Sequence, residues 1–157
     1  MNRIVSTILA VALPATLLLF PSAARAAKRL TLTMAPANIT FPDQDPDAFP
    51  VTAATSTVSV TVNTSGMGGA QWSLTALSRG ELLSAGSSIP ISSISWTATN
   101  QPTFRNGSMT ATVPGTLVAR NSGNGTWSGV LSFTIQNLWT YATGIYTQTT
   151  DFTVSSP

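Results

Sequence analysis

The sequence predicts an all-β protein: an Ig-like Greek-key β-sandwich of about eight or nine strands, following a cleaved signal peptide. Three observations predict it. Apolar residues alternate with small hydroxyl residues at period two, and no segment carries a convincing helical period. The body is rich in Thr, Ser, Val and Ile and poor in Lys and Glu, a composition that fits pleated strands. Clusters of Gly, Pro, Asn and Asp punctuate the alternating runs at regular intervals.

The chain opens with Arg3 and an apolar run over residues 4–20, broken by Ser6, Thr7, Pro14 and Thr16. Ala24-Arg25-Ala26 supplies a small-x-small cleavage pattern, so residues 1–26 read as a secretory signal with Ala27 as the first mature residue. An uncleaved anchor is the rival reading, because the run is long for a signal core. Pro14 and the small-residue exit at Ser22-Ala23-Ala24 favour cleavage. Residues 27–157 then form one domain with one core.

Strands are expected near 30–34, 37–41, 56–63, 70–77, 89–97, 109–113, 116–120, 127–136 and 145–154. Leu30, Leu32 and Met34 alternate with Thr31 and Thr33, and Val58, Val60 and Val62 with Ser59 and Thr61. Trp72, Leu74 and Ala76 repeat the pattern, as do Leu131, Phe133 and Ile135. Phe152 and Val154 close the chain around Thr153. Each set points to one face of its strand. Asn124-Gly125 is the best hairpin candidate, since both residue types tolerate positive φ. Trp72 and Trp96 are expected as core anchors. Trp127, Trp139 and Tyr141 lie after a turn or in a non-alternating stretch, where an exposed aromatic contact patch is an alternative.

Removal of residues 1–26 takes away Arg3 and Arg25 and leaves equal numbers of cations and acids. A neutral chain without a basic stripe argues against nucleic acid as a partner. The membrane then matters only through the signal peptide during export. The chain has no cysteine and no histidine, so disulfides, Ser-His-Asp and Cys-His catalysis and the usual zinc sites are excluded. Asp43-Gln44-Asp45-Pro46-Asp47 has the alternating carboxylates that start a calcium loop. Ala48 and Ala54 stand where the EF-hand needs glycine and glutamate, and a polar connecting loop is the plainer reading. Glu81 and Asp151 belong to no glycosidase-like motif. No enzyme, no cofactor and no metal is expected.

Two pieces resemble a known family. Phe41-Pro42-Asp43-Gln44-Asp45-Pro46, the strand from Ser56 to Val62 and Gln71-Trp72-Ser73-Leu74 form the first. Gly144-Ile145-Tyr146, continuing to Asp151-Phe152-Thr153-Val154, forms the second. In their order they resemble spore coat protein U-like proteins and the archaic chaperone–usher pilins. The chain departs from that family in lacking its cysteines and in carrying Pro42 after Phe41. Residues 27–41 are also too few to supply both a donated strand and the domain's own start. Trp72-Ser73-Leu74 and Gly125-Thr126-Trp127 are similar as well to WxL domains, cell-wall-binding modules of Gram-positive bacteria.

The first resemblance implies a non-enzymatic secreted subunit of the bacterial surface or periplasm, structural or adhesive. It would self-assemble or join other envelope proteins, a chaperone and usher among them, by strand-edge pairing. Leu30, Leu32, Met34, Phe152 and Val154 are the expected pairing residues. The second resemblance implies a module that binds a cell-wall polymer or glycan through Trp127, Trp139 and Tyr141.

Overall fold

A computed structural model describes residues 27–157. The expected signal segment, residues 1–26, lies outside the described residues.

The described residues form eleven strands in chain order: β1 (Arg29–Ala35), β2 (Val51–Ala53), β3 (Val58–Ser65), β4 (Gln71–Ser78), β5 (Leu82–Ser84), β6 (Ser87–Ile89), β7 (Ile94–Ala98), β8 (Gly107–Ser108), β9 (Thr116–Ser122), β10 (Gly125–Gln136) and β11 (Thr150–Ser155). One antiparallel sheet has the order β1-β3-β10-β7-β8, with β2 pairing the far end of β10. The second has the order β11-β4-β9. β5 and β6 form a small separate hairpin. The fold is therefore all-β and sandwich-like.

Period-two alternation builds the core. β3 sends Val58, Val60 and Val62 inward and β10 sends Leu131 and Phe133, while β4 sends Trp72, Leu74 and Ala76 from the opposite sheet. Trp72 and Trp96 are both buried core anchors, as expected. The Trp96 indole N–H donates to the Arg105 carbonyl at 2.8 Å, and its ring lies 5.9 Å from that of Phe133.

Some expected strands fall elsewhere. Residues 37–41 are loop, and the run at 89–97 is split. Pro90 precedes a single 3-10 turn at Ile91–Ser93, and the Glu81 carboxylate accepts the Ile91 N–H. Residues 109–113 hold no strand: the Met109 N–H donates to Ile94 instead. The last strand begins only at Thr150. Asn124-Gly125 does not close a hairpin, because β9 and β10 belong to different sheets. Gly123 turns the chain at φ +77°, and its N–H donates to Ala70 while Asn124 Oδ1 accepts from Met67 N–H. These bonds tie the connection to the neighbouring 66–70 loop and carry the chain across the sandwich.

Candidate functional site

The two long sides of the sandwich differ. On one side, residues 103–105 stitch the sheets together. Arg105 N–H donates to Val118 at 2.8 Å, Arg120 N–H to Thr103 at 3.0 Å, and Phe104 bridges Ala119. Phe104 is fully buried and lies against Gly129, where an added Cβ would sit 2.7 Å from its ring.

The opposite side is open. Among the described residues β1 pairs only with β3, and β11 pairs along its length only with β4. The two strands approach within 8 Å between Cα atoms, yet among the described residues no backbone hydrogen bond joins them. The tie at one end is Lys28, whose ammonium donates to the Ser156 hydroxyl and the Pro157 oxygen. Leu30, Leu32 and Met34 on β1 and Phe152 and Val154 on β11 pack against the core. All five nevertheless stay partly exposed, because no strand covers that side among the described residues. The expected pairing residues are thus brought to one seam, with backbone groups of both edges facing outward.

The three aromatics singled out in the sequence are not brought together. Trp127 is half-buried and turned inward onto Trp72. Tyr141 is also half-buried, its hydroxyl 2.9 Å from that of Ser93. Trp139 is 69 % exposed, just past the far end of β10 from Trp127, about 30 Å away along the strand. Its indole N–H donates to Asp47 Oδ1 at 2.8 Å.

The acidic loop is spent on local structure. Asp45 Oδ1 accepts the Asp47 N–H at 2.9 Å, and the Asp45 carbonyl accepts from Ala48 and Phe49. No group of three acidic side chains converges on a metal-sized site among the described residues. The Asn137 amide donates to the carbonyls of Gln44 and Phe49 and fastens this loop to the end of β10. Phe49, Val51 and Leu138 thereby join Trp139 as exposed apolar residues. Sequence reasoning missed these three, because only the long-range Asn137 bonds and the β2–β10 pairing bring them together.

Arg79 and Asp151 form an exposed two-pronged ion pair, both bonds 2.9 Å. Hydrogen bonding from Arg79 holds the Asp151 carboxyl below its usual range; its modest desolvation opposes this and the guanidinium charge adds to it.

Comparison with known proteins leaves the seam to be read on its own geometry: no family model, no curated protein and no solved structure matches this chain.

Proposed function

We propose that this protein is a non-enzymatic, secreted subunit of the bacterial surface or periplasm that acts by strand-edge pairing along the β1–β11 seam. The observation that carries the reading is the seam itself. Five inward-facing apolar side chains stay partly exposed beside two unpaired strand edges. An extended segment with alternating apolar residues would bury them and pair its backbone with an edge.

Strand order supports an Ig-like Greek-key assignment. Immunoglobulin-type domains face a sheet ordered A-B-E-D with one containing C, F and G. On this reading β1, β3, β10 and β7 would correspond to A, B, E and D, and β4 and β11 to C and F, while β9, which pairs with β4 but falls between β7 and β10 in the chain, is an addition to that order. The place beside β11 is that of strand G, and it is the open side. The partner is another copy or another envelope protein.

Deletion of residues 27–34 tests the reading: it should abolish assembly and leave export intact. A purified protein that stays monomeric and melts cooperatively counts against strand donation. The second reading, a glycan-binding module, rests on the exposed indole of Trp139 alone, since Trp127 and Tyr141 face inward.

A further inference from the structure

The two ends of the sandwich differ in character. One end carries the start of β1, the end of β3, the start of β10, the start of β4 and the ends of β9 and β11, as the registers Arg29↔Ser65, Gly125↔Thr64, Gln71↔Ser122 and Ser155↔Ser73 require. The other end carries the 36–57 loop, the β5–β6 hairpin and the 137–149 segment, beyond the pairs Gln136↔Val51 and Thr150↔Ser78.

All the acids lie toward this second end: Asp43, Asp45, Asp47, Glu81 and Asp151. Only Asp151 has a salt-bridge partner there, Arg79, among the described residues. Lys28, Arg29 and Arg120 lie toward the first end, where no acidic side chain stands among the described residues. Exposed apolar bulk follows the acids. Phe49, Val51, Leu138 and Trp139 flank the acidic loop, and Leu83, Val113 and Ile145 are exposed at the same end. The cationic end is built of polar and glycine-rich turns at residues 65–70 and 122–125.

We infer that copies of this chain dock end to end, the apolar acidic end of one against the cationic end of the next. Charge complementarity selects a second copy as the occupant. Residues 27–157 carry five cations and five acids, and apart from Arg105 and the Arg79–Asp151 pair the opposite charges sit about 40 Å apart, along the twelve residues of β10, so two copies have one attractive alignment and two repulsive ones. The contact joins different surfaces of the two copies, so it repeats along a line. It uses the ends of the sandwich rather than the free strand edges and does not depend on strand pairing, although Lys28 and Arg29 stand where the β1–β11 seam reaches the cationic end. Trp139 is its apolar anchor, pre-set by the bond to Asp47.

Sedimentation velocity over a concentration series of the purified protein tests this. Self-association should weaken at least roughly tenfold between about 0.01 M and about 1 M salt, as the screening length falls from about 30 Å to about 3 Å. Trp139→Ser should weaken it by a similar factor at low salt. Lys28→Glu with Arg29→Glu makes both ends acidic. Asp43→Lys, Asp45→Lys and Ala48→Lys together make the other end cationic. Each variant alone should fail to associate, and an equimolar mixture of the two should associate again. Seam pairing predicts neither the salt response nor the rescue. Monomers at every salt concentration, association indifferent to salt, or folded variants that do not rescue each other would overturn the inference. So would Trp139-dependent retention on peptidoglycan by a protein that stays monomeric. If a charge variant fails to fold, the salt series and Trp139→Ser still decide.

Discussion

The indole of Trp72 meets that of Trp127 across the two sheets, ring centroids 5.2 Å apart and planes inclined at 54°. The contact locks the sheets near the cationic end, where no disulfide can do so. Trp72 is 1 % exposed, so Trp72→Ala should cost about 3–5 kcal/mol. Its indole N–H is buried without a partner among the described residues, so Trp72→Phe should cost clearly less. Urea denaturation of the two variants checks the order.

Phe104 closes the stitched side only because residue 129 has no side chain. Gly129→Ala would place a Cβ 2.7 Å from that ring, in the middle of β10. The expected loss is about 1–3 kcal/mol from overpacking, read as a lower urea midpoint with an unchanged slope. Phe104→Leu in the same chain should restore part of it.

The Arg79–Asp151 pair gives a modest pH dependence. The Asp151 carboxyl titrates below its ordinary value of 3.8 in the folded protein. Its contribution is therefore present above that value and is lost as pH falls through the lower folded pKa. Asp151→Asn should flatten the acid limb of a melting-temperature profile and leave neutral pH nearly unchanged. Both groups are well exposed, so added salt should shrink the difference.

The strands that alternate cleanly were legible in sequence. Val58-Ser59-Val60-Thr61-Val62 can bury only one face, and β3 follows that pattern. Leu30, Leu32 and Met34, and Phe152 and Val154, were legible as the inward face of their strands for the same reason. Sheet membership was not legible. Asn124-Gly125 has hairpin chemistry, but bonds from Gly123 and Asn124 to the 66–70 loop turn it into a crossing between sheets. Pro90 looks like a strand residue until the Glu81 carboxylate caps the turn behind it. Trp127 and Trp139 look alike in a one-dimensional reading. Trp127 lies on the inward face of β10 against Trp72, whereas Trp139 falls beyond the end of that strand and faces solvent.

Charge placed in the seam should separate folding from assembly. Leu32 and Val154 are partly exposed there, so a lysine at either position can reach water along the open side. Leu32→Lys and Val154→Lys should each leave a cooperative melt and normal export but remove surface assemblies in negative-stain images.

The most direct measurement is amide hydrogen exchange on assemblies recovered from the cell surface, compared with the dilute purified protein. Strand-edge pairing predicts that peptides covering Arg29–Ala35 and Thr150–Ser155 gain protection in the assembly, because an added strand takes up their outward N–H groups. Assemblies in which those two strands exchange as fast as in the free protein would contradict it.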